Sequence, residues 1–124
     1  MIPRLIENVV YQRLTTLHKA ILLLGARQVG KTTLLHALQT RLAQEGKVVR
    51  YLNCDLEEER QAVNTTSRTL LDRLVAGMDA LFVDEIQRLE NPGLTLKILV
   101  DLYPDLMLLV TGSSSFELRN QTSE

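Results

Sequence analysis

Leu22-Leu23-Leu24-Gly25-Ala26-Arg27-Gln28-Val29-Gly30-Lys31-Thr32-Thr33 decides how this chain is read. An apolar run enters a loop bounded by two glycines, and the loop opens onto a helix-forming segment. Gly25, Gly30, Lys31 and Thr32 meet the spacing G-x-x-x-x-G-K-S/T, a pattern that carries weight when a strand precedes it and a helix follows. Both are predicted here, so the stretch reads as a phosphate-binding loop. Backbone N–H groups wrapped round a polyphosphate neutralise its charge without a side chain blocking approach. Gly25 and Gly30 remove Cβ atoms where the backbone comes closest or needs positive φ. Ala26, Arg27, Gln28 and Val29 supply loop backbone, and Thr33 lies in a first helical turn whose unpaired N–H groups face the anion. Lys31 is expected to reach the β and γ phosphates, and Thr32 to ligate Mg²⁺ through its hydroxyl. Nothing in the loop selects adenine over guanine.

Two later segments bear on the same chemistry. Ala80-Leu81-Phe82-Val83 runs straight into Asp84 and Glu85, and a buried strand that ends in two acids calls for a reason. At the carboxyl edge of an α/β sheet the acids would sit beside the phosphate loop. Side chains alternate along a strand, so the two acids should differ in role: Asp84 on Mg²⁺ or its water, Glu85 polarising the attacking water. The competing reading is a solvated strand end. After the apolar run 106–110 come Thr111, Gly112 and Ser113. A hydroxyl of Thr111 or Ser113 could sense the γ phosphate or orient water, and the sequence leaves open which one points inward; the plain alternative is a serine-rich linker.

Around these sites the chain alternates strand and helix. Strands are predicted at 20–24, 48–53, 80–84 and 106–110; the first is apolar throughout, which suits a parallel sheet covered on both faces. Leu34, Leu35, Leu38 and Leu42 form one helical stripe ended by Gly46, with His36 on its solvated side. Glu57, Glu58 and Glu59 suit the first turn of a further helix. Asn64 to Ser67 is a polar break before a helix carrying Leu70, Leu71, Leu74 and Val75, and Asn91-Pro92-Gly93 can cap another carrying Leu96, Leu99 and Val100. Upstream, Ile6, Val9, Val10, Leu14 and Leu17 predict one amphipathic helix over 3–17, with Arg4 and Arg13 outward; Arg4 could alternatively cover a bound base. Asn53 and Asp55 are weaker candidates for a place near the nucleotide. The fold class expected is α/β, three layers, with a mostly parallel sheet.

The 124 residues suffice for one domain, and 45% hydrophobic residues supply a core. A net charge of −1 gives no bulk attraction to nucleic acid or to an anionic membrane. One cysteine, Cys54, excludes an internal disulfide and suits a reducing compartment, where it is expected as a half-buried residue after a strand. There is no secretory signal pattern, and Asp101, Pro104 and Asp105 interrupt the longest apolar stretch. A cytoplasmic protein is expected, with no membrane partner.

Met1-Ile2-Pro3-Arg4, the loop at 25–33, Asp84-Glu85-Ile86-Gln87 and Thr111-Gly112-Ser113-Ser114-Ser115 together resemble the prokaryotic AAA-type ATPases that carry a C-terminal domain of unknown function. The resemblance spans nearly the whole chain. It implies a P-loop fold with an additional catalytic glutamate: residues 25–33 as Walker A, Asp84 and Glu85 as Walker B, and Thr111 or Ser113 as sensor 1. It implies ATP and Mg²⁺ as ligands, and a sheet in the order 5-1-4-3-2. Similar proteins continue into a fifth strand, an arginine-bearing segment and a second domain. This chain is therefore expected to form the N-terminal ATPase portion of a longer protein, with order 1-4-3-2 and the fifth strand absent. An edge strand at 20–24 would then invite self-association. A small-molecule kinase is the alternative enzyme, although only Arg119 follows the fourth strand as a lid arginine; a non-hydrolysing, nucleotide-gated interaction module is the alternative outside enzymes.

Overall fold

The computed structural model describes residues 4–17, 20–25 and 30–113. Four strands form one parallel sheet in the order β1-β4-β3-β2: β1 Ile21–Leu24, β2 Val49–Asn53, β3 Ala80–Asp84 and β4 Met107–Gly112. Parallel neighbours cannot be joined by tight turns, so each connection carries helix. The helices are α1 Arg4–Gln12, α2 Lys31–Gln44, α3 Glu57–Val63, α4 Arg68–Val75 and α5 Pro92–Leu102.

Alternation along the strands splits the core in two. Ala80 and Phe82 of β3, with Met107 and Leu109 of β4, pack on Leu34, Leu35, Leu38 and Leu42 of α2 and on Val10 and Leu14. Leu81, Val83, Leu108 and Val110 face the other way, onto Val63, Leu71, Leu74 and Leu99 of α3, α4 and α5. This is the three-layer arrangement expected from apolar strands, in the order 1-4-3-2. Every residue of β3 and β4 is buried, because each strand has a neighbour on both sides and helices on both faces.

Local signals set the helix ends. The Ser67 hydroxyl accepts a bond from Leu70 N–H to start α4, and the Asn91 side chain accepts from Leu94 N–H, with Pro92 next, to start α5. At α2 the residue before the helix is Gly30, at φ 82°, which has no side chain to cap the first turn.

Four details differ from the sequence reading. The leading helix is not continuous: α1 stops at Gln12 and a π-helical turn, Arg13–Leu17, follows. That wider turn keeps Val10 and Leu14 in the core while Ile6 and Val9 stay exposed. Val100 is likewise exposed, Leu99 alone of its pair being buried. Cys54 is fully buried rather than half-buried, since its amide bonds the Asp84 carbonyl at 2.9 Å and draws it under α3. Finally, β4 runs two residues further than expected, so Thr111 belongs to the strand itself.

Candidate functional site

The alternation that sorts the core also builds the site. Asp84 continues the Ala80–Phe82 series, and Thr111 continues the Met107–Leu109 series, so both point to the α2 side at the carboxyl end of the sheet. There α2 begins. Thr32 Oγ1 donates to Asp84 Oδ2 at 2.8 Å, a contact across 52 residues of sequence. Tyr51 of β2 donates its phenol to the same oxygen at 2.7 Å, and Thr111 Oγ1 donates to Oδ1 at 2.5 Å. Asp84 is 1% exposed, yet three hydroxyl groups satisfy its carboxylate.

Lys31 occupies the first turn of α2 and is 3% exposed. Its Nζ donates to the carbonyls of Gly25 and Gly112, each at 2.7 Å, tying the start of the loop to the end of β4. Gly25 and Gly30 have φ of 153° and 82°, backbone that favours glycine, as expected of the two loop boundaries. Thr33 lies in the same turn and is exposed. Ala26, Arg27, Gln28 and Val29 lie outside the described residues, as do Pro3 and Arg119; so does the Arg4 side chain.

Glu85 departs from the alternation argument. It does not extend β3; it takes φ 62° and ψ 51°, the one non-glycine residue at positive φ among the described residues, and starts the 3-10 turn Ile86–Arg88. The turn, not strand pleating, sets its direction, and a bulky residue in that conformation is a costly choice that clusters at working sites. Its N–H donates to Thr111 Oγ1 at 3.0 Å, so one hydroxyl bonds both acidic residues. Glu85 is 8% exposed, and its carboxylate accepts from Gln87 Nε2 at 2.6 Å.

Of the two hydroxyl candidates, Thr111 is the one turned inward and committed to Asp84 and Glu85. Ser113 sits just past β4, where its N–H donates to Gln87 Oε1 at 3.2 Å. Asn53 and Asp55 serve local structure: Asn53 Oδ1 caps its own turn at Asp55 N–H, and Asp55 pairs with Arg88 at 2.8 Å. His36 is exposed and rests against Tyr51, ring centres 4.7 Å apart. Sequence reasoning missed Tyr51 and Gln87. The parity of Tyr51 in β2 was the available signal, because it shares a face with Asp84. Burial, first, and the bond to Asp84 raise the Tyr51 phenol well above its ordinary value, so it stays a donor. Cys54, beneath the site, is pushed up to about 12 by burial and is a neutral thiol.

A hard cation suits this donor set. Thr32 and Asp84 offer oxygens only, and among the described residues no group of three His, Cys, Asp or Glu side chains gathers into an all-protein cage. Mg²⁺ is typically held in that way, by one or two protein oxygens together with phosphate oxygens and water.

The AAA domain family matches residues 17–124. The chain belongs to that family. The AAA family implies nucleotide binding. Among solved structures the chain is similar to AMPPCP-bound DnaA from Aquifex aeolicus, at 21% identity and a TM-score of 0.67, over 97% of this chain and 42% of that one. It is also similar to a DNA replication initiation factor, at 20% identity and a TM-score of 0.64, over 98% of this chain and 45% of that one. Both likenesses concern the fold, and the chain spans less than half the length of either. No curated protein matches the sequence. Among the described residues no helix is long and apolar enough to cross a membrane.

Proposed function

We propose that this AAA domain binds Mg-ATP and hydrolyses it, using the change to act on a partner domain or chain. The observation that carries the reading is the contact of Thr32 with Asp84, made beside Lys31 at the start of α2. It brings the residues assigned to metal and phosphate into one cluster from opposite halves of the chain. Lys31 exchanges its two carbonyl partners for β and γ phosphate oxygens, and Thr32 and Asp84 hold Mg²⁺ directly or through water. When bound, that cation neutralises charge gathering on the phosphates. Glu85 orients and polarises the attacking water, and Thr111 fixes the two acids relative to each other. Gly25 to Thr33 form the Walker A segment, and Ser113 remains the second hydroxyl candidate for sensing the γ phosphate.

The partner expected from the family resemblance is a C-terminal domain, which would follow β4 and cover β1; the setting proposed is the cytoplasm. A nucleic-acid partner is not part of the proposal, because the net charge of −1 offers no bulk attraction. Calorimetric titration of Mg-ATP into the chain and into Lys31→Ala tests the reading. Binding should be lost in the variant, which should stay folded while losing about 1–3 kcal/mol, because the Gly25 and Gly112 carbonyls lose their donor. Equal affinity in the two proteins would overturn the phosphate-loop assignment.

A further inference from the structure

Gln87 is a side chain in this region to which the proposed chemistry gives no role. Its amide makes two bonds at once: Nε2 donates to Glu85 Oε1 at 2.6 Å, and Oε1 accepts from Ser113 N–H at 3.2 Å. A carboxylate can only accept and a peptide N–H can only donate, so the amide has one orientation that satisfies both partners. The backbone is shaped to admit it. A Cβ on Gly112 would lie 3.2 Å from Ile86 Cγ2 and 3.4 Å from Gln87 Oε1, so glycine lets the turn after β3 lie flat against the end of β4. That same end of β4 is gripped from the other side, where Lys31 Nζ donates to the Gly112 carbonyl. A continuous path therefore runs from Lys31 through Gly112 and Ser113 to Gln87 and the Glu85 carboxylate.

We infer that Gln87 is the positioning residue for Glu85, tying its carboxylate to the strand end that Lys31 releases when it turns to phosphate. The inference rests on the reading of Glu85 as the group that activates water, and it adds a link between nucleotide occupancy and the direction of that carboxylate. Glu85 cannot be placed by strand geometry, since its backbone has left the sheet at φ 62°. The Gln87 amide supplies the missing restraint by donating to the carboxylate.

The side-chain amide of Gln87 gives a readout apart from turnover. In 1H–15N NMR of the chain, with the resonance assigned through Gln87→Leu, it should exchange slowly with solvent, shift in Glu85→Ala, and shift again when Mg-AMPPCP is added to the unsubstituted protein. An amide that Glu85→Ala or Mg-AMPPCP leaves unmoved overturns the inference. In turnover, Gln87→Leu should lower kcat about ten-fold, the scale of one lost bond to a charged group. Its affinity for Mg-ATP should stay within about two-fold, separating positioning from binding. Gln87→Glu should lower kcat further, because it replaces the donor with a second negative charge beside the carboxylate. An unchanged rate in both variants would refute it. Glu85→Gln measured in parallel keeps the two ideas apart. Full turnover in Glu85→Gln removes the reading of Glu85 and this inference with it, whereas loss of turnover there with an unaltered Gln87→Leu removes the inference alone.

Discussion

The two ends of the sheet use polar residues in opposite ways. At the carboxyl end, Lys31, Asp84, Glu85 and Thr111 are buried and bond one another, or the backbone, across spans of up to 81 residues. At the amino end the polar contacts tie neighbouring elements together at the exposed rim. Asp79 Oδ2 accepts from Val48 N–H at 2.8 Å, its carbonyl accepts from Met107 N–H, and the Tyr103 hydroxyl donates to Asp72 on the partly open side of α4. An open groove of about 530 Å³ lies there, lined by Lys47, Met78, Asp79 and Pro104 among others, and no gathering of buried acids and hydroxyls faces it. Burying ionisable groups carries a desolvation cost that folding alone gives no reason to accept. The end that accepts it is the end where chemistry is proposed.

That contrast breaks if carboxyl-end variants turn out to be stability variants. Glu85→Gln should keep Mg-ATP affinity and lose about 10²–10⁴ in turnover, the usual scale for a general base. Asp84→Asn should instead weaken the dependence of nucleotide binding on Mg²⁺, read by calorimetry with and without the metal. If both merely lower the unfolding midpoint and change neither quantity, the buried acids are structural and the distinction between the ends disappears.

The largest effect expected outside the site concerns the strand that joins both ends at one side. Among the described residues β1 pairs with β4 alone, and its four residues are half-buried where those of β3 are wholly buried. Ile21 to Leu24 carry neither charge nor proline to discourage another strand. Sedimentation velocity should therefore show the 124-residue chain associating as concentration rises, and a phosphate-release assay should show it hydrolysing slowly, while a chain extended at its C-terminus should be better behaved and faster. A monodisperse monomer with full turnover would count against both the open edge and the proposed covering segment.

Much of this was legible in the sequence because it depends on short-range pattern. The loop spacing, the apolar strands, the Leu34–Leu42 stripe and the cap at Asn91 are each set within a few residues. Parity along β3 and β4 even placed Asp84 and Thr111 on one face once β4 was known to continue through Gly112. What could not be read depends on where the backbone leaves regular structure or on distant pairing. No glycine marks the left-handed conformation at Glu85, so strand alternation gave the wrong reason for its direction. Gln87 gains its role from Ser113, and Tyr51 from Asp84 across 33 residues. Ile6 and Val9 belong to the stripe by spacing and are nonetheless exposed, and the π-helical turn after Gln12 carries no signal in the pattern.

The amino end supplies the converse test. Asp79→Ala removes the acceptor for Val48 N–H at the entry to β2, a bond at the exposed rim, and should cost about 1 kcal/mol in urea unfolding. Mg-ATP affinity should not change. A shift in affinity with no loss of stability would mean that the two ends are coupled.

The smallest effect is expected at Tyr103, where pH gives the sign. Its phenol ordinarily ionises near 10 and is pushed up to about 12, first by burial and then by the hydrogen bond to Asp72. Between those values the unfolded chain has released the proton and the folded chain has kept it, so stability is fully present below pH 10 and falls as pH rises toward 12. Tyr103→Phe removes both the bond and the ionisation. At neutral pH it should be less stable by a few tenths to about 1 kcal/mol, since the contact lies near solvent. Above pH 10 its stability should decline less steeply than that of the unsubstituted protein. The decline is reduced rather than abolished, because the Tyr11 and Tyr51 phenols are also raised. Urea unfolding at pH 7, 9, 10 and 11 would measure the two slopes, and parallel curves would show that Tyr103 holds no proton the unfolded chain gives up. Turnover at neutral pH should be the same in both proteins, as expected for a residue at the end of the sheet that only holds the fold.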